Sequence, residues 1–271
     1  MQSAAVGFQC PECAQQGARR QRLVDAWRRQ SAPRLTYGLI AANVVFFIVD
    51  QALGGRLGGI YADFGSRFAL WAGLGSNGFR VVEVGIADGE WWRIVTGGFL
   101  HAGVLHLGFN MYALYVLGGI LERVVGPVRF GLIYGVSLLG GSLGALAMTS
   151  PLARTVGASG AIFGIFGAFA LLQMSRGQSP MSGGIGMTIG LNLLITFTIP
   201  GISIGGHLGG LAAGALCGYL LLGANRHQAI ERERARPTMV AITAAVGVAL
   251  FGASVLVAQL VVDRGSALIG G

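Results

Sequence analysis

Residues 204–222 read Ile204-Gly205-Gly206-His207-Leu208-Gly209-Gly210-Leu211-Ala212-Ala213-Gly214-Ala215-Leu216-Cys217-Gly218-Tyr219-Leu220-Leu221-Leu222. The stretch holds no Asp, Glu, Lys or Arg. It is long enough for a helix that crosses a bilayer, which takes roughly 20 apolar residues. Gly206, Gly210, Gly214 and Gly218 recur at every fourth position, and that spacing puts them on one face of such a helix. Small residues along one face let two helix backbones approach closely inside a membrane. His207 stands at the head of the stripe. A polar side chain within a span is costly, so it is a functional candidate by default.

The rest of the chain has the same character. Of its 271 residues 53% are hydrophobic and 11% charged, against about 25% charged in an ordinary soluble domain. Mean hydropathy is +0.66. Gly is frequent, 47 residues, but without the every-third-residue period of collagen. Soluble globular, disordered and fibrous classes are excluded, and an all-α polytopic membrane protein is expected. Charge-free runs predict seven spans, near 35–54, 95–119, 128–149, 158–174, 184–200, 204–223 and 238–262. The chain then divides into a basic N-terminal segment 1–34, a membrane domain 35–262 with a long first loop 54–93, and a short tail 263–271. The loop is rich in Gly and aromatics, which suits either an interfacial aromatic belt or partial embedding in the membrane.

Charge placement orients the spans. Formal net charge is +8, and every basic residue is Arg. Six Arg precede the first span (Arg19, Arg20, Arg22, Arg28, Arg29, Arg34); Arg123 and Arg129 follow the second, Arg176 the fourth, and Arg226, Arg232, Arg234 and Arg236 the sixth. The opposite loops carry Arg154, no charge at all, or Arg offset by acids in loop 54–93. Alternating basic loops place the N-terminus in the cytosol and the C-terminus outside. They also explain the basic pI without a nucleic-acid partner. The basic lead-in 15–34 suits anionic lipid headgroups. Three Cys (Cys10, Cys13, Cys217) make no disulfide framework. No short apolar core with a cleavage site opens the chain, so no cleavable leader is expected.

Few residues in the spans can do chemistry. His101, His106 and Asn110 fall in the second predicted span, Ser159 at the outer start of the fourth and His207 at the outer start of the sixth. Topology puts Ser159 and His207 on the same side at similar shallow depth, with His106 and Asn110 deeper. The fourth span carries its own stripe, Gly160, Gly164 and Ala168, directly after Ser159. Packing of the two stripes would bring the hydroxyl beside the imidazole, the minimal activated nucleophile. His106 and Asn110, at i and i+4, share a helix face and are candidate donors to an oxyanion, with the Ser159 N–H as another. His101 lies about 140° round the helix from His106. Each feature alone is ordinary packing; their joint occurrence at matched depth points to a site.

The chain resembles the rhomboid intramembrane serine proteases over about residues 37–223. The matching motifs are Trp92-Arg93, His101, His106-x-x-x-Asn110, Glu122-Arg123 with Gly126, Gly157-Ala158-Ser159-Gly160, and Gly206-His207-x-x-Gly210-x-x-x-Gly214. The resemblance implies a six-helix bundle plus a seventh transmembrane helix in a bacterial plasma membrane. It implies Ser159 as nucleophile and His207 as base, with no acid. His106, Asn110 and the Ser159 N–H would form the oxyanion hole, with Gly157 beside it, and Phe163 would stack on His207. Trp92, Arg93, Gly160, Gly206 and Gly210 would be structural neighbours of the site. The fifth span and the loop 200–206 would admit substrate sideways. Gly206 departs from the Ala usual before the His. Substrates would be single-span membrane proteins, cleaved near the outer face where the helix unwinds. The rival readings are a catalytically inactive rhomboid-like binder of transmembrane helices, and a transporter or channel. A transporter would need ionisable residues along a path across the membrane, and between residues 130 and 225 there are only Arg154, Arg176 and His207.

Cys10-Pro11-Glu12-Cys13 is half of a zinc ribbon, and a structural zinc site needs four ligands. No second pair exists in the chain. No metal or other cofactor is expected, with zinc at Cys10 and Cys13 conceivable only if an N-terminal module is truncated or shared between chains. Related rhomboids with a fuller Cys/His module look similar around Val6–Cys13.

Overall fold

The computed structural model describes residues 32–53, 67–76, 81–83, 85–181 and 184–269, with two short paired strands, Gln2–Ser3 and Phe8–Gln9. Cys10 and Cys13, most of the basic N-terminal segment and residues 54–66 of the first loop lie outside the described residues.

The apolar helices are α1 (Arg34–Ala52), α2 (Val104–Val125), α3 (Pro127–Met148), α4 (Ser159–Ser175), α5 (Ile185–Thr198), α6 (Ile204–Leu222) and, after a short polar α7 (Arg226–Arg234), α8 (Arg236–Ile269). Among the described residues five of these are long and apolar enough to cross a membrane; α4 and α5 are shorter. The 17 residues of α4 rise about 26 Å, short of a hydrocarbon core of roughly 30 Å.

Helix α6 lies between α3 and α4. Glycine makes this possible on both sides. Facing α4, a Cβ on Gly210 would overlap the carbonyl oxygen of Gly160, and one on Gly214 would overlap that of Gly164. Facing α3, a Cβ on Gly205 would overlap the carbonyl oxygen of Gly144, and one on Gly209 that of Gly140. Only the first of these two faces is marked by the four-residue stripe read from the sequence. Cys217 fills the same core, fully buried and free. Helix α8 packs along α3.

Three boundaries differ from those expected. The second span does not begin near residue 95. Residues 93–99 form a short helical turn (Arg93–Thr96) and a tight turn (Gly97–Phe99), and the long helix starts at Val104. The break falls in extended backbone at Leu100 and Gly103, while Gly97 and Gly98 lie against Leu70 and Leu138, with which a Cβ there would collide. His101 consequently precedes α2 and is not inside it. The basic stretch after the sixth span is helical (α7), tied to α3 by an Arg129–Glu233 ion pair. The last helix runs on over most of the stretch read as a tail, to Ile269.

The described part of the first loop is packed. Leu70, Ala72, Ile86 and Ile94 are buried together with Ala145 and Leu146 of α3 and Ala258 and Val262 of α8. Leu70–Trp71 pairs antiparallel with Arg154–Thr155, just ahead of α4, and the Trp71 indole donates to the Pro151 carbonyl at 3.0 Å. Arg93 is buried, paired with Glu90 at 2.6 Å and donating to the Ala69 carbonyl. The Trp92 indole donates to the Arg67 carbonyl. Trp92 and Arg93 thus hold residues 67–69 of the loop. At the opposite end of the bundle the Glu122 carboxylate accepts from Leu35 N–H, Thr36 N–H and the Thr36 hydroxyl, closing the start of α1 onto α2.

Candidate active site

Ser159 is the first residue of α4 and His207 sits in the first turn of α6. Close contact of the two backbones at Gly160 and Gly210 sets their separation. The Ser159 hydroxyl lies 2.8 Å from His207 Nε2. The ring of Phe163, one turn further along α4, stacks on the imidazole with centroids 4.0 Å apart and planes 17° apart. This covers one face of the ring with apolar surface and limits its rotation. His207 is 8% exposed and Ser159 half-buried. Ser203 caps α6 by accepting from the Gly206 N–H at 3.1 Å, which anchors the turn that carries His207.

His106 comes from the first turn of α2. Its Nδ1 accepts from the Ala102 N–H at 3.4 Å, which leaves Nε2 as the N–H donor of a neutral ring. The ring sits against Gly157: a Cβ there would come 2.9 Å from His106 Nε2 and 3.7 Å from the Ser159 hydroxyl. Gly157 has φ +127°, a conformation suited to glycine, and its N–H is engaged by the Gly97 carbonyl at 2.9 Å. Its contribution is therefore space for His106 beside Ser159, since its own N–H is taken. Asn110, 7% exposed, donates from Nδ2 to the His106 carbonyl at 2.8 Å, and an amide NH2 retains a second N–H. No side chain caps the start of α4, so its first N–H groups have no intrahelical partner. Because α2 begins late, His106 is at the helix start rather than deep within it.

His101 is 2% exposed and packs its ring edge-on to His106, 5.0 Å between centroids. It supports the His106 ring. The sequence reading missed Thr196 of α5, whose hydroxyl lies 2.6 Å from His207 Nδ1. A Thr in an apolar span commonly bonds back to its own helix, so its position carried no signal. Among the described residues no cluster of three or more His, Cys, Asp or Glu forms a metal site.

The rhomboid domain family matches residues 88–224. YdcA of Bacillus subtilis is 38% identical over 142 residues, covering 51% of this chain and 71% of YdcA. The rhomboid protease GluP of the same organism is 33% identical over 190 residues, 67% of this chain and 34% of GluP. Rhomboid-type serine protease 2 of Emericella nidulans is 32% identical over 172 residues, 59% of this chain and 33% of that protein. The chain thus spans most of YdcA but only about a third of the other two. Fold and relatives together define the class, a multi-pass intramembrane serine endopeptidase. The chain belongs to the rhomboid family.

Proposed function

We propose that the chain cleaves transmembrane helices of single-span membrane proteins near the outer face of a bacterial plasma membrane, by a Ser159–His207 dyad. The observation that carries this reading is the 2.8 Å contact between the Ser159 hydroxyl and His207 Nε2. As the Ser159 oxygen bonds the scissile carbonyl carbon, its proton passes to His207 Nε2. The oxyanion that forms meets the His106 Nε2–H, the free Asn110 amide N–H and the N–H groups opening α4. Breaking of the C–N bond returns the proton from His207 to the departing amine and leaves an acyl-Ser159. A water, activated by the same imidazole, then releases the acyl group. These steps use no cofactor or metal.

Placement near one face follows from the chemistry. Hydrolysis needs water, and the short α4 keeps Ser159 close to a non-helical entry into the membrane. Alternation of Arg between loops supports a cytosolic N-terminus, with Ser159 near the outer face. An intact substrate helix hides its carbonyls in hydrogen bonds, so a helix with small or helix-breaking residues near that face is the expected target.

Ser159→Ala in membranes or detergent should abolish cleavage of a single-span test substrate while the protein stays folded. Equal cleavage by wild type and Ser159→Ala would refute the serine mechanism.

A further inference from the structure

Helix α5 is attached to the bundle by little. Of its residues only Ile185 and Thr196 are buried, while Met187, Leu191, Leu194 and Phe197 are exposed. Thr196 is a polar residue at 2% exposure, turned toward α6. Its hydroxyl oxygen lies 2.6 Å from His207 Nδ1 and 2.7 Å from the Asn192 carbonyl oxygen on its own helix.

The two contacts together decide where the protons are. A hydroxyl has one proton to donate and lone pairs to accept with, whereas a carbonyl only accepts. The Thr196 proton therefore goes to the Asn192 oxygen. The contact with His207 then requires the proton to come from Nδ1. A neutral imidazole carries one N–H, so Nε2 is bare and accepts from the Ser159 hydroxyl at 2.8 Å. A single arrangement satisfies all three contacts: Ser159 O–H to Nε2, Nδ1–H to Thr196, and Thr196 O–H to Asn192. The reverse tautomer would set the Nε2 proton against the Ser159 hydroxyl as a donor and disable the base.

We infer that Thr196 is a positioning residue for His207, holding the imidazole in the Nδ1–H tautomer that leaves Nε2 free to take the Ser159 proton. The inference rests on the dyad reading above. It assigns to a neutral hydroxyl on α5 the orienting part that a carboxylate plays in a three-membered triad. No proton is passed to Thr196 at any step. The Ser159 proton moves to Nε2 and on to the leaving amine, and Nδ1–H stays bonded to Thr196 in both the neutral and the protonated ring. Since Thr196 belongs to the least embedded of the helices around the site, a shift of α5 away from α6 would free Nδ1 and unlock the ring.

Full-length protein, ¹⁵N-labelled at histidine, tests this with a fluorophosphonate probe and imidazole ¹⁵N shifts. Wild type should show His207 as the Nδ1–H tautomer; Nε2–H in wild type would overturn the inference without any variant. Thr196→Val keeps the shape and removes the hydroxyl. It should slow probe labelling of Ser159 about tenfold or more, since a buried N–H loses its acceptor, and it should mix the tautomers. Thr196→Ser should restore both. Wild-type labelling and tautomer in Thr196→Val, with labelling abolished in His207→Ala, would overturn the role of Thr196 and leave the dyad standing. Undiminished labelling in His207→Ala would refute the dyad reading itself. Equal impairment in Thr196→Val and Thr196→Ser, with the tautomer unchanged, would reduce Thr196 to packing and overturn the inference.

Discussion

Gly210→Ala probes the contact that sets the distance between Ser159 and His207. A Cβ at position 210 would overlap the Gly160 carbonyl oxygen and come 2.9 Å from the Gly160 Cα. These are backbone atoms and no rotamer change can clear them. The Gly160 carbonyl carbon would be closer still, at 2.6 Å, so relief to about 3.5 Å, the near edge of carbon–carbon contact, requires α4 and α6 to part by about 0.9 Å or more at this level. Ser159 precedes Gly160 directly, and His207 lies one turn before Gly210. The same parting stretches the 2.8 Å dyad contact to about 3.7 Å, where the hydrogen bond is lost. General-base assistance is worth about 10²–10⁴-fold, so labelling of Ser159 by a fluorophosphonate should fall about a hundredfold. Overpacking of this kind costs about 1–3 kcal/mol of stability, readable as a shift in SDS-induced unfolding. Gly252→Ala on α8 is the control, because nothing lies within 4 Å of a Cβ there, and both readouts should match wild type. A folded Gly210→Ala protein that labels at the wild-type rate would show that the backbone contact does not set the dyad.

Two further perturbations separate chemistry from architecture. Asn110→Ala should lower kcat for a transmembrane substrate by about 2–4 kcal/mol with little change in KM if its second amide N–H serves the oxyanion; unchanged turnover would leave Asn110 as a brace on the His106 carbonyl. Glu122→Ala removes the acceptor for three donors at the start of α1, each unpaired buried donor costing about 1–3 kcal/mol. The unfolding midpoint should drop while probe labelling per folded molecule holds, and an unmoved midpoint would contradict the cap.

Much of this protein is legible without coordinates. Scarcity of charge forces a membrane solution, because a helix in lipid must satisfy its backbone internally and present apolar side chains outward. The orientation proposed from the Arg positions has an electrostatic reason that needs no tertiary contact. The pairing of Ser159 with one glycine stripe and His207 with another is visible as spacing, since a four-residue repeat fixes a helix face whatever the helix touches.

What the linear pattern left open depends on contacts between distant residues. Gly205 and Gly209 form a second small face that seats α6 against Gly144 and Gly140 of α3, and this face is hidden in a segment where glycine is everywhere. The late start of α2 lies in extended backbone at Leu100 and Gly103, inside a charge-free run, so apolar length alone extended the span too far. Gly157 matches the motif, but only the fold shows its N–H held by Gly97 and its missing side chain replaced by the His106 ring. Thr196 is one hydroxyl among several in an apolar helix until α5 docks on α6 and places it at His207 Nδ1. Composition and spacing determined the solvent, and they underlie the proposed orientation and the proposed reacting pair. Only tertiary packing decided how close the helices come and which hydroxyl meets the far side of the imidazole, because those depend on atoms brought together from separate spans.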